Sequence, residues 1–495
     1  MDSEERRLHP WSWLFALQQQ IQQLLVPLVA LLVFGRRSNE DGLPYQHWII
    51  AVVFAAVLGS ALARYWSYRY RIGTDTLSIR SGIFERTRRE IPFARIHNVV
   101  VHQNLLHRLF GVAELRLESA AGDKPEAQMR VLKLEQALEL EHLIRHRGKA
   151  APGEEAQEPA ADVLLTLPLP ELVRQGLISN RALVVLAAAI GAAYQLFPRR
   201  AMEEAITQQG RQVFGYASQV QLGVGTLVAG AVVLLVTALL LMWVMSIGLA
   251  IMQYHGFRLT EADRRLTVER GLLTRLRSSV ARRRIQAWTL REGALHRLFK
   301  RRQLRVDIAS GGGAAENEGR ALKELAPLAP PDTCDGLLQQ LLPQLQWPPS
   351  HWHAVSTRGW WRLCLPALLP VTALAAVLTH QTGAPGLLPL LWLPWSAFKA
   401  HRQVSRMGYS VDAQRVAVRG GWWNRWWRIA ELDKLQALRL DRSPLDRAFG
   451  TATLTLDTAG AFGAPPLQLR FLDEQRAREL MEQLGREMAR RKLRW

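Results

Sequence analysis

Three stretches of this chain align with one another without a gap, and that repetition limits the possible folds more than any other feature. The first, from Leu77, is "LSIRSGIFERTRREIPFARIHNVVVHQNLLHRLFGVAELRLESA". The second, from Leu266, is "LTVERGLLTRLRSSVARRRIQAWTLREGALHRLFKRRQLRVDIA". The third, from Val416, is "VAVRGGWWNRWWRIAELDKLQALRLDRSPLDRAFGTATLTLDTA". Gly82, Gly271 and Gly421 share a column, as do Arg86, Arg275 and Arg425. So do Ile96, Ile285 and Leu435; Arg108, Arg297 and Arg447; Phe110, Phe299 and Phe449; and the acids Glu118, Asp307 and Asp457.

Each copy reads as strands followed by a helix. "TLSIRSG" and "RLTVERG" alternate apolar and polar residues and stop at glycine, the pattern of a strand entering a turn. "ELRLES", "QLRVDI" and "TLTLDT" alternate in the same way, and each copy closes on a helical pattern such as "LEQALELEHLIRHR". A curled sheet of short strands with one C-terminal helix suits a small barrel or half-barrel.

Apolar runs separate the copies and come in pairs: Ile21 to Phe34 and Trp48 to Ala63; Ala182 to Phe197 and Leu222 to Met252; Leu363 to Thr379 and Leu387 to Phe398. A spanning helix needs about 20 mostly apolar residues, and only the fourth run clears that easily. The pairing nevertheless predicts about six transmembrane helices in three pairs. Within the pairs the loops hold only Arg36, Arg37, Arg199, Arg200 and Arg211 of the 63 Lys and Arg residues. The positive-inside bias then puts both termini and the three large blocks in the cytoplasm. Most of the net charge of +20 is accounted for in this way, so no nucleic-acid partner is needed. Trp48, Trp66, Trp360, Trp361, Trp392 and Trp395 fall at or near the ends of the runs, where indole prefers the headgroup level. Short amphipathic lead-ins, "WSWLFALQQQIQQLL", "PELVRQGLISNRAL" and "VSTRGWWRLCL", read as interfacial helices. Two cysteines, Cys334 and Cys364, do not make a disulfide framework.

A pair of apolar runs followed by G-apolar-apolar-x-R, "IP" leading to "RI", then L-x-R-x-F-G and a strand resembles the bacterial pleckstrin-homology-like family, second type. Copy 1, "SGIFERTRREIPFARIHNVVVHQNLLHRLFGVAELRLESAAG", fits best. The opening "RLHPWSWLF" and the threefold repetition resemble its YdbT-like membrane proteins. Copy 2 has Lys300 where Gly111 and Gly450 stand, and copies 2 and 3 lack a proline at the Pro92 column. The expected fold class is a multi-pass α-helical membrane protein carrying three α+β PH-like domains, each a small β-barrel plus a C-terminal helix. The expected division is a lead-in and first pair at 1–67, PH-like domain 1 at 68–147, a linker at 148–164 and a second pair at 165–254. PH-like domain 2 follows at 255–346, a third pair at 347–404 and PH-like domain 3 at 405–495. The resemblance implies a bacterial inner membrane.

The turn after the aligned glycine is apolar at its tip in every copy and is followed by arginine. The lipid-contact candidates are therefore Ile83, Phe84 and Arg86; Leu272, Leu273 and Arg275; and Trp422, Trp423, Arg425, Trp426 and Trp427. Greasy residues beside a cation are what a bilayer surface rewards. The second copy adds Arg282, Arg283 and Arg284, the focus of its fourteen Arg or Lys residues between 264 and 305. No nucleophile elbow, P-loop or zinc-helix motif is present, so no enzyme activity, cofactor or metal is expected. The expected role is binding of the membrane surface through anionic lipid headgroups, or assembly at the membrane with another PH-like membrane protein or with itself. A structural scaffold and a component of an export system are the alternatives.

Overall fold

The structure, a computed structural model, describes residues 5–15, 17–18, 20, 46–82, 86–119, 127–147, 162–179, 181–196, 207–208, 224–308, 323–343, 345–458 and 467–490. The first repeat has strands β1 (Arg6–Arg7), β2 (Arg69–Ile72), β3 (Thr76–Ser81) and β4 (Thr87–Pro92). A one-turn 3-10 segment, Phe93–Arg95, then leads to β5 (Ile96–Gln103), β6 (Val112–Ser119), β7 (Ala127–Lys133) and the helix Leu134–Arg147. The second repeat follows the same plan with β8 (Asp162–Thr166), β9 (Arg258–Ala262), β10 (Arg265–Arg270) and β11 (Arg275–Ala281). It continues through Arg282–Arg284 to β12 (Ile285–Glu292), β13 (Arg302–Ile308), β14 (Glu324–Ala329) and the helix Pro331–Leu341. The third has β15 (His353–Ala354), β16 (Gly408–Val411), β17 (Arg415–Gly420) and β18 (Arg425–Glu431). Its second half is Leu432–Lys434, β19 (Leu435–Asp441), β20 (Thr451–Thr458), β21 (Gln468–Asp473) and the helix Glu474–Arg490.

The glycine column has a clear cause. Gly82, Gly271 and Gly421 take φ of 106°, 113° and 78°, a region closed to most side chains. A Cβ on Gly271 would collide with the Thr274 carbonyl, and one on Gly421 with that of Asn424. Only glycine turns the chain from β10 into β11, or from β17 into β18, at that spacing.

Every pairing is antiparallel, and the strands fall into four sheets. The sheets do not follow the repeat boundaries. One has the order β1-β2-β3-β4; the next runs β7-β6-β5-β11-β10-β9-β8; the third β14-β13-β12-β18-β17-β16-β15; the last β19-β20-β21. Each repeat thus divides between two sheets, and neighbouring repeats share one through β5 against β11 and β12 against β18. The cores mix accordingly. Ala417 and Ile429 of the third repeat are buried with Leu266, Trp288 and Leu304 of the second. Leu77, Val99, Leu115 and Leu140 anchor the first core. The first strand of each repeat lies ahead of the apolar helices and the rest follow them, so the helices are inserted into the edge of a sheet.

The expectation of six spanning helices is overturned. Among the described residues two helical stretches, Val228–Tyr254 and Thr357–Thr382, are long and apolar enough to cross a membrane. The run from Ala182 makes a helix of 16 residues, Arg181–Leu196, about 24 Å long and short of a hydrocarbon core of about 30 Å. The run from Leu387 breaks into a 3-10 stretch, Ala384–Leu391, and a helix, Trp392–Arg406, that carries Lys399, Arg402 and Arg406. Gly386 lets the 3-10 stretch fold back onto the helix Leu365–Thr382, since a Cβ there would collide with the Thr379 backbone. The helix Gln46–Ser67 covers the second run but is not among those two stretches; Gln20 reaches Ser60 on it at 3.0 Å. The first run lies outside the described residues. Pairing alone does not make a span of a run that is too short by composition. The chain is built on repeated antiparallel β units and is not a six-span helical bundle.

Candidate membrane-contact site

The second glycine turn lies at the foot of an apolar helix and the third against an amphipathic one. In the second repeat Gly271 N donates to His255 O and Leu272 N to Met252 O, both at 2.9 Å, so the turn docks on the end of the helix Val224–Tyr254. Leu272 is half-buried there and Leu273 is 36% exposed. In the third repeat Trp422 packs edge-on against Phe398 at 5.3 Å and lies 6.1 Å from Trp395, with Trp423 at 5.9 Å. Trp423, Trp395 and Phe398 are 55%, 45% and 49% exposed. Together they form an aromatic ledge shared by the turn and the amphipathic helix Trp392–Arg406. Half-exposed rings in contact with one another lose apolar surface only in part, so an apolar or interfacial medium would stabilise them further.

The structure brings together some of the candidates named from sequence and separates others. Ile83 and Phe84 lie outside the described residues, while Arg86 is exposed beside them. Trp426 and Trp427 are strand residues. Trp426 covers Gly420, where a Cβ would come within 2.6 Å of its ring, and packs on the third core. Trp427 lies under the Arg302 guanidinium at 5.0 Å and packs on the second. Arg275 is held by Glu269 at 3.4 Å. Arg282, Arg283 and Arg284 sit at the far end of β11 from the Gly271 turn, which at about 3.3 Å per residue is roughly 20 Å away. Arg282 is paired there with Glu261 at 3.3 Å.

A second cationic group, not legible in the sequence, stands beside the ledge. Burial, followed by the charges of Arg425, Arg297 and Arg419, pushes the Arg406 guanidinium below its usual range. Burial does the same to Arg419, whose guanidinium lies over the Trp352 ring at 4.7 Å. The nearby carboxylate is Glu292, and it takes Arg302 at 3.2 Å. Among the described residues no ion pair within 4 Å joins Arg406, Arg419 or Arg425 to an acid. A cleft beside these cations is lined by Gln403, Met407, Arg419, Trp426, Gln468 and Arg470. In the second repeat the Arg419 column holds Glu269, which neutralises Arg275 and Arg277. The equivalent place there is thus compensated. Arg406 has no counterpart in the second copy, where its column is Gly256, so the repeat alignment gave no signal for this group.

Short helices hold the lead-in segments to the sheets. Arg362, at the start of the stretch Thr357–Thr382, donates to Asp446 and to Ser443 Oγ at 3.1 Å. Ser443 and Asp446 form the capping box of the helix Pro444–Phe449. Asp446 is buried, which raises its pKa, but the bonds from Arg362, Thr451 and Ser443 outweigh burial and hold it far below the carboxylate range. In the second repeat Arg301 grips Glu171 of the amphipathic helix Leu169–Ile178 at 2.9 and 2.7 Å. In the first, Phe15 packs on His107 with ring centroids 4.2 Å apart. At the foot of the long apolar helix, buried Glu324 joins Tyr254, Arg270 and Arg305, the two arginines each at 3.1 Å. Burial pushes the Glu324 carboxyl up, and these partners bring it below its usual value.

Three segments of the chain, 23–148, 219–329 and 362–488, match the family model described as a bacterial PH domain. The chain is 23% identical over 361 residues to the UPF0699 transmembrane protein YdbT of Bacillus subtilis (strain 168), an alignment covering 70% of each chain. No solved structure matches it.

Proposed function

The chain belongs to the bacterial PH domain family, and from that premise we propose that it is a non-enzymatic membrane protein whose repeats bind the membrane surface, with an anionic lipid headgroup held beside Arg406 and Arg419. The observation that carries this reading is the join between an exposed aromatic ledge and an uncompensated cation cluster along the amphipathic helix Trp392–Arg406. Trp423, Trp395 and Phe398 suit the interface, and the guanidiniums suit a phosphate. The similarity to a protein described as a transmembrane protein and the apolar stretches Val228–Tyr254 and Thr357–Thr382 support the membrane setting. The basic repeats belong on the cytoplasmic face of the inner membrane, where anionic lipid attracts them.

The test is native mass spectrometry of the full chain released from nanodiscs of mixed phosphatidylglycerol and phosphatidylcholine. The wild-type chain is expected to retain phosphatidylglycerol. The double variant Arg406→Gln/Arg419→Gln should lose about 2 kcal/mol of that preference, roughly thirtyfold, at about 1 kcal/mol per cation. Equal retention by the two proteins, or retention of phosphatidylcholine alone, sinks the reading. The shared sheets also favour an assembly role, because they show how one PH-like unit of this chain recognises the next.

A further inference from the structure

We infer that this chain associates head to tail with a second copy of itself, the free edge of β19 in one copy pairing antiparallel with the free edge of β4 in the next. This inference stands on strand geometry and does not depend on lipid binding. The structure already contains the proposed contact twice. In the first junction Val280 faces Asn98, Ser279 faces Val99 and Arg277 faces Val101. In the second, Ala430 faces Ala287, Ile429 faces Trp288 and Trp427 faces Leu290. By the ungapped repeat alignment these are the same columns, so both junctions have one register. The strand that joins forward in repeats 1 and 2 is β5 or β12, and its column in repeat 3 is β19. The strand that joins backward in repeats 2 and 3 is β11 or β18, and its column in repeat 1 is β4. Among the described residues β4 and β19 each end a sheet. Each edge therefore has the partner surface that the other lacks.

The side chains support the match. Arg89 and Glu90 of β4 are exposed, whereas the same columns, Ser278 and Ser279 in β11 and Arg428 and Ile429 in β18, lie buried in their junctions. At the second junction Arg428, fully buried, reaches across to Asp307 at 2.6 Å. Arg89 occupies the Arg428 column and Asp457 the Asp307 column, and both are exposed in the single chain. A copy docked in the shared register brings them together. Arg89 would also face Arg439, whose charge is already taken up by Asp441 at 2.7 Å. A further device recurs in the arginine column of the L-x-R-x-F motif. Arg108 donates to Leu272 O at 2.9 Å and Arg297 to Trp423 O at 3.2 Å, each bonding the glycine turn of the following repeat. Arg447, the third member, is exposed and among the described residues bonds no such turn. The contact is heterologous, so it generates rings or linear arrays rather than an isolated twofold dimer. Exposed strand edges ordinarily invite non-specific pairing; here the register and charges specify one partner.

The experiment uses the full chain in membranes with Cys334 and Cys364 replaced by Ser. Glu90→Cys is carried by a copy with one epitope tag and Leu438→Cys by a copy with another, positions that face each other in the shared register. Oxidation is expected to join the two tags in membranes containing both variants and to give no dimer of either variant alone. Absence of the mixed product overturns the inference, and a Glu90→Cys homodimer overturns it in favour of symmetric edge pairing. Arg89→Asp on the first copy should lower the mixed product at least fivefold, and Asp457→Arg on the second should restore it. Failure of the swap to restore it, with both proteins melting as the parent does, overturns the assigned register.

Discussion

Lys300 shows how one residue can break a local rule while the backbone keeps it. The columns of Gly111 and Gly450 have φ of 64° and 63°, and Lys300 is held at 51° in the same left-handed region. A side chain there costs about 1–2 kcal/mol, and Lys300 is exposed at the end of the helix Ala294–Leu298, with no packing that offsets it. Lys300→Gly is therefore expected to stabilise the chain by about 1 kcal/mol, read as a higher midpoint in denaturant unfolding. An unchanged or lower midpoint would mean that the lysine makes a compensating interaction. In sequence the lysine was visible as a departure from the repeat; that the backbone nevertheless keeps the glycine conformation was not.

At the scale of elements, β18 carries the heaviest load. It pairs with β17 of its own repeat and with β12 of the preceding one. Its Arg428 has no exposed surface, and Asp307 on β13 balances its charge. Burial raises the Asp307 carboxyl, and Arg428 opposes that shift. Arg428→Ala leaves a buried carboxylate without its cation and is expected to cost about 3–5 kcal/mol. The double change Arg428→Met/Asp307→Leu should recover most of the loss, because a well-packed apolar pair often replaces a buried ion pair without penalty. Equilibrium unfolding of the two variants distinguishes the cases; a loss under 1 kcal/mol for the single change would show that water reaches the site. Sequence comparison found the Glu118, Asp307 and Asp457 column. It could not find that the partner is Arg428, since that contact crosses a repeat boundary. The alternating strands and the helical closing segments were legible, because a period of two and a helical period are local properties. The lengths of the apolar helices differ from that reading, because glycine and charged residues decide where an apolar run stops being one helix.

In the whole molecule the sharing of sheets predicts cooperativity. Leu290 on β12 is 1% exposed and faces Trp427 across the second junction. Leu290→Ala should cost about 2–5 kcal/mol through the cavity it leaves. Because β12 belongs to a sheet completed by the third repeat, amide exchange should quicken in β17 and β18 as well as in β13. Quickening confined to β12 and β13 would show that the repeats open independently and that the shared sheet transmits little.

The amino-acid sequence alone determined that one strand-rich unit is used three times and that glycine must stand at each turn, which follow from spacing along the chain; that the unit is PH-like came from its resemblance to a known family. The tertiary structure decided which strand edges meet, which arginines are left without an acid and how few helices can span a bilayer. The sheet edges and the ion pairs depend on contacts between residues more than a hundred positions apart, as between Arg428 and Asp307, and no local pattern encodes them.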